Sequence, residues 1–167
     1  MASRRSAIWS LGQILSKKFR RELHEFARIQ IQKNQFAIIG EISVKEFMKM
    51  ELRKTFQFEA AHLLPQLPKS HKCRRLHGHS FKVEVVVAGE CDPKLDWLMD
   101  YADIAAAFRP IWKKLDHRYL NEIPGLKNPT SENVAVWIWK KLKPKLPLLM
   151  EVVVAETCTA RCVYRGE

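Results

Sequence analysis

The segment "HKCRRLHGHS", His71 to Ser80, places one thiol, three imidazoles and two guanidiniums within ten residues. Two of the imidazoles, His77 and His79, stand two apart where the alternating run "HSFKVEVVVAGE" begins. Residues i and i+2 of a strand project from the same face, so both rings can reach one metal ion. His62 closes the earlier alternating run "LRKTFQFEAAH". If the two strands pair, it supplies a third nitrogen from the neighbouring strand. Three histidines leave the fourth position of a tetrahedral zinc ion open, the pattern of catalytic rather than structural zinc. Gly78, between two of them, is expected to let the backbone pass close to the metal.

Cys73 precedes His77 by four residues and has three readings: a fourth metal ligand, a buried filler, or a reactive thiolate favoured by the flanking cations Lys72, Arg74 and Arg75. The loop that carries it is long and basic for a hairpin connection, and such loops tend to be functional. Asp116-His117, in "LDHRYLN", can be a base oriented by a carboxylate or an ordinary ion pair at a helix end. Glu156, in "VAETCT", can accept two hydrogen bonds from the edge of a guanidine-like ring, or be a solvated acid at a strand end.

The elements that must position these groups follow from periodicity and punctuation. Leu52, Lys54, Phe56 and Phe58 alternate, as do Phe81, Val83, Val85 and Val87, which gives two strands. "MDYADIAAAFRPIWKKL" reads as a helix capped by Asp100, with Ile104, Phe108, Ile111 and Leu115 on one side and a disturbance near Pro110. "LNEIPGLKNPT" is a loop. "SENVAVWIWKKLKP" is a helix with Thr130 or Ser131 as its cap and Glu132 in its first turn, ended by Pro144 and Pro147. "LMEVVVAET" and "ARCVYRG" are two short strands. The order β-β-α-α-β-β predicts an α+β fold, an antiparallel sheet with two helices on one face.

The chain has 167 residues and 47% hydrophobic content, enough for one domain with a real core. Four cysteines at uneven spacing, with no Cys-x-x-Cys pair, argue against a four-thiolate zinc site and against a disulfide framework. A reducing, cytoplasmic setting is expected. No apolar run nears the roughly 18 residues a membrane span needs. The net charge of +11 is concentrated towards the N-terminus, where residues 1–50 carry 10 Lys+Arg against 4 Asp+Glu. Residues 1–49 are expected to be a basic extension outside the fold, with residues 50–167 as the domain. Its apolar positions Ile8, Leu11, Leu15, Phe19 and Leu23 have near-helical spacing, which suits a targeting or membrane-surface helix, a partner-binding helix, or an appendage preceding a start at Met48 or Met50.

"FEAAH", "CRRLHGHS", "LDHRYLN", "NPTSENVAVWIW" and "AETCTARCVYRGE", in this order, resemble the motifs of the 6-pyruvoyl-tetrahydropterin synthase superfamily over about residues 51–167. The short Cys-x-x-x-His-Gly-His spacing is most similar to the branch that forms 6-carboxy-5,6,7,8-tetrahydropterin in the queuosine (7-deazaguanine) pathway. The resemblance implies a T-fold whose sheets assemble into a barrel, usually a homohexamer, with active sites at subunit interfaces. It implies a lyase acting on 7,8-dihydroneopterin triphosphate, with acetaldehyde and triphosphate released. It implies His62, His77 and His79 as ligands of Zn2+ and Cys73 as the thiolate that removes a proton. Asp116 and His117 would be the orienting acid and second base. Glu156 would anchor the pterin, with Thr130, Ser131 and Glu132 as further substrate contacts. Pyruvoyl formation or a folate-branch cleavage on the same fold is the near rival. A zinc-stabilised nucleic-acid-binding module is the distant one, disfavoured because Trp137 and Trp139 sit in a helix and not on an exposed sheet. No nucleic-acid or membrane partner is expected.

Overall fold

A computed structural model describes residues 21–34 and 49–167. Two units are distinguished, Met1–Phe47 and Met48–Glu167. In the first, residues 21–34 form an α-helix (α1). Of the N-terminal apolar positions named above, Leu23 lies on it, and Ile8, Leu11, Leu15 and Phe19 lie outside the described residues.

The second unit begins with two 14-residue strands, β1 (Lys49–His62) and β2 (His77–Glu90), paired antiparallel over their full length. Helix α2 (Tyr101–Leu115) follows, then a two-residue strand β3 (Arg118–Tyr119), helix α3 (Ser131–Leu142), and strands β4 (Leu149–Ala155) and β5 (Cys162–Tyr164). The sheet order is β3-β1-β2-β4-β5. β3 was not legible in the sequence. It runs parallel to β1, pairing Arg118 with Ala60 and Tyr119 with Ala61, so the sheet is mixed rather than wholly antiparallel.

Alternation decides which side chains meet the helices. Phe58 and Ala60 of β1, Phe81, Val83, Val85 and Val87 of β2, and Val152 and Val154 of β4 form one core with the apolar sides of both helices. Phe58 stacks on Phe81 with ring centroids 4.9 Å apart. Burying each such ring contributes on the order of 2–3 kcal/mol. Asp100 caps α2 by accepting from the Ala102 N–H at 2.7 Å. α2 runs unbroken through Pro110, contrary to the expected disturbance. Both Pro110 and Ala106, whose carbonyl loses its partner there, are exposed, so water can satisfy that group. The cap of α3 is Thr130, whose hydroxyl accepts from the Asn133 N–H at 3.3 Å. Trp137 is buried and Trp139 packs against the core, so neither is a free stacking platform.

The opposite face of the sheet carries a charge network. Glu151 is almost fully buried, with one carboxylate oxygen 3.4 Å from Arg53 and the other 2.7 Å from Arg165. This ties the chain end after β5 to the centre of the sheet. Gly166, at φ +91°, lies so close to the Trp139 ring that an added Cβ would come within 2.3 Å of it.

Candidate active site

The β1–β2 register places His62 directly opposite His77, and Ala60 opposite His79. All three histidines therefore stand on the core face, as a polar continuation of the row that contains Phe58 and Phe81. Their ring centroids are 4.6, 5.2 and 5.1 Å apart, and one ligand nitrogen of each lies within 4.8 Å of the others.

The hydrogen bonds around these rings suit a metal. His62 is fully buried, and its Nδ1 lies 2.8 Å from the Pro129 carbonyl. A carbonyl only accepts, so Nδ1 carries the proton and Nε2 presents its lone pair. That Nε2 is buried without a hydrogen-bond partner. His77 Nδ1 is 2.8 Å from the Arg75 carbonyl, which fixes the same tautomer. Burial holds His62 below the usual histidine range, against the opposing effect of its hydrogen bond to Pro129. A neutral imidazole is what a metal ligand needs. An orphaned, inward-facing nitrogen costs about 1–3 kcal/mol if nothing binds it, so the residues fit a bound cation. Among the described residues, the group able to hold a metal is His62, His77 and His79; Cys73 is not part of it.

Cys73 is half-buried in a 3-10 turn, Lys72–Arg74, between the strands. Its N–H donates to His71 Nδ1 at 3.1 Å, and its carbonyl accepts from the Leu64 N–H at 2.8 Å. The loop is therefore pinned on both sides of the thiol. Arg74, expected as a cation beside the thiolate, instead donates its guanidinium to the carbonyls of Pro65 and Leu67. Gly78 makes a close approach. An added Cβ would meet the Ala60 carbonyl oxygen at 3.1 Å, so the glycine lies close against the β1 backbone.

Asp116 and His117 meet as a dyad, Oδ2 to Nδ1 at 2.8 Å. Asp116 Oδ1 also accepts from the Glu59 N–H at 3.1 Å, and the His117 N–H donates to the Glu59 carbonyl at 2.6 Å. The edge of β1 thus holds both residues. The hydrogen bond from His117 keeps the Asp116 carboxyl below its ordinary range, helped by the Glu59 amide against a small desolvation cost. His117 adopts φ +53°, and its side chain is 78% exposed, open to a reactant. A cleft of about 550 Å³ beside His117 is also lined by Glu59, His79, Ser80, Arg118 and Tyr119.

Glu156 is half-buried at the end of β4, near enough for its charge to act on His62. Burial pushes the Cys162 thiol up, and the carboxylates of Glu132 and Glu156 push it further, so α3's first turn, β4's end and β5 converge. Thr130 spends its hydroxyl on capping α3, while Ser131 is half-buried and Glu132 exposed beside it. Sequence reasoning gave no role to Asn121. Its amide accepts from the Leu63 N–H at 3.0 Å and donates to the Leu63 carbonyl at 2.9 Å, anchoring the chain just after His62. The signal was its place at the end of "LDHRYLN".

Residues 51–167 match the family described as 6-pyruvoyl tetrahydropterin synthase. The chain is 45% identical over 117 residues to a 6-carboxy-5,6,7,8-tetrahydropterin synthase of Synechocystis sp., covering 66% of this chain and 89% of that protein. It is 41% identical to the human 6-pyruvoyl tetrahydrobiopterin synthase, over 54% of this chain and 67% of the human one. A solved structure of the Caenorhabditis elegans 6-pyruvoyl tetrahydropterin synthase superposes with a TM-score of 0.68 at 28% identity, covering 73% of this chain and 99% of that one. Fold, motif order and sequence agree: the chain belongs to the 6-pyruvoyl tetrahydropterin synthase family.

Proposed function

We propose that the chain is a zinc-dependent lyase converting 7,8-dihydroneopterin triphosphate to 6-carboxy-5,6,7,8-tetrahydropterin, acetaldehyde and triphosphate, a step of queuosine biosynthesis. The observation that carries this is Cys73 set four residues before a His-Gly-His whose imidazoles join His62 in one group. The likeness to the Synechocystis protein named for that activity supports it. Residues 50–167 form the synthase domain in this reading, which works in the cytoplasm as a homohexamer.

His62, His77 and His79 would hold the zinc ion, which polarises the substrate's side-chain hydroxyls as a Lewis acid when bound. Cys73 removes a proton from the side-chain carbon. His117, oriented through Nδ1 by Asp116, exchanges a hydroxyl proton through its free Nε2. Glu156 receives the N–H edge of the pterin, with Thr130, Ser131 and Glu132 alongside. The atoms balance with one water consumed as the triphosphate ester is released. The two carbons leaving as acetaldehyde account for the loss from the three-carbon side chain.

The test is to incubate the purified full chain with 7,8-dihydroneopterin triphosphate and to identify the products by mass spectrometry. A carboxylated tetrahydropterin with equimolar acetaldehyde is expected. A pyruvoyl product would move the chain to the activity named for its human relative. A side chain cleaved without carboxylate would move it towards the dihydroneopterin monophosphate aldolase of Pyrococcus furiosus, to which it is 39% identical over 100 residues.

A further inference from the structure

The cleft beside His117 meets a second one. A cleft of about 410 Å³, lined by Lys113, Lys114, Glu122 and Ile123 among others, shares Arg118 and Tyr119 with it. Lys113 and Lys114 occupy the last turn of α2. Arg118 follows His117 directly and is fixed by the pairing of β3 with β1. We propose that Lys113, Lys114 and Arg118 form an anion subsite beside His117 that takes the polyphosphate tail of the substrate. The proposal rests on the pterin triphosphate reading above and names the phosphate-binding groups within it.

Charge decides in favour of this cleft. Three cations line it against one carboxylate, Glu122. The C-terminus of α2 adds a negative partial charge of about one half, which leaves the cleft clearly positive. All three cations are exposed, and among the described residues none of their side chains has a hydrogen bond or an ion pair with a protein group. Two lysines offer mobile point charges and the arginine a planar fork, a combination suited to successive phosphates. The other basic candidates are weaker. Arg74 is committed to the carbonyls of Pro65 and Leu67. Lys82 and Arg161 line a smaller cleft of about 220 Å³ with Glu84 and Cys158, and neither catalytic dyad residue borders it.

The experiment uses the full chain with two probes, inorganic tripolyphosphate and unphosphorylated 7,8-dihydroneopterin, by calorimetric titration beside steady-state kinetics. Lys113→Gln/Lys114→Gln/Arg118→Gln is expected to weaken tripolyphosphate binding by at least about tenfold, since charge-assisted hydrogen bonds are lost. It should also flatten the salt dependence of that binding. KM for the triphosphate substrate should rise by a similar factor, with dihydroneopterin affinity unchanged. The charge-preserving set Lys113→Arg/Lys114→Arg/Arg118→Lys should retain tripolyphosphate binding. Unaltered tripolyphosphate affinity in the glutamine variant overturns the proposal, as does a loss that instead follows Lys82→Gln/Arg161→Gln. An equal loss of dihydroneopterin affinity also overturns it, because the side chains would then shape the cleft rather than meet phosphate. If the wild-type chain binds tripolyphosphate through these three groups but does not turn over the pterin, the anion subsite stands and the pterin reading falls.

Discussion

His62 donates its Nδ1–H to the carbonyl of Pro129 at 2.8 Å, across 67 positions of the chain. One hydrogen bond thereby fixes the tautomer of a buried ring and ties the end of β1 to the residue just before the cap of α3. The Nε2 lone pair faces the other two imidazoles for that reason, and the metal reading depends on it.

Replacing one ligand tests that reading. His77→Ala leaves two histidines, too few to hold a catalytic zinc ion. Zinc and activity are expected to disappear together, while the β1–β2 pairing survives because His77 lies at its last position. One zinc per chain retained in this variant, by elemental analysis, would reject the three-histidine site.

Cys73 stands outside the metal-holding group. Cys73→Ala should therefore keep its zinc content while single-turnover rate falls about 10²-fold or more, the usual scale for a lost acid or base. Zinc loss in this variant would make the thiol a ligand, and full activity would make it a bystander.

Asp116→Asn should lower turnover about 10²-fold or more by releasing the orientation of His117. It also has a stability signature. The folded-state pKa of Asp116 is depressed below its ordinary value of 3.8, so its contribution is present above that value and is lost as pH falls through the folded one. The wild type should be more stable than the variant at neutral pH, with the gap closing below about pH 4. Urea midpoints at pH 7 and at successively lower pH below about 4 measure this, and a gap that does not narrow as the pH falls would contradict it.

Gly166→Ala should detach the chain end. The added Cβ would fall within 2.3 Å of the Trp139 ring, and φ +91° disfavours any side chain. A loss of about 1–3 kcal/mol is expected from strain alone, read as a lower thermal midpoint.

A chain beginning at Met50 is expected to fold, assemble and turn over like the full protein, since the family match begins at residue 51. Size-exclusion chromatography with light scattering, together with the product assay, checks this. Loss of assembly or activity would give residues 1–49 a role in the working enzyme.

Local pattern determined much of this protein. Alternation along β2 alone puts His77, His79 and Phe81 on one face, and side-chain caps at Asp100 and Thr130 mark where the helices start, because these signals lie within a few residues of each other. The Cys-x-x-x-His-Gly-His spacing and the order of the five motifs were likewise readable in one dimension. Tertiary structure decided the rest. Only the β1–β2 register sets His62 opposite His77, and only the return of the chain after α2 makes β3 and lets Glu59 hold both members of the dyad. Arg74 could not be told from its basic neighbours until its guanidinium met the Pro65 and Leu67 carbonyls, nor Asn121 from a loop residue until its amide met Leu63. The physical reason is the same throughout. A side chain's type fixes which bonds it can make, but a long-range backbone partner is chosen by packing of the whole core, which no short window of sequence contains.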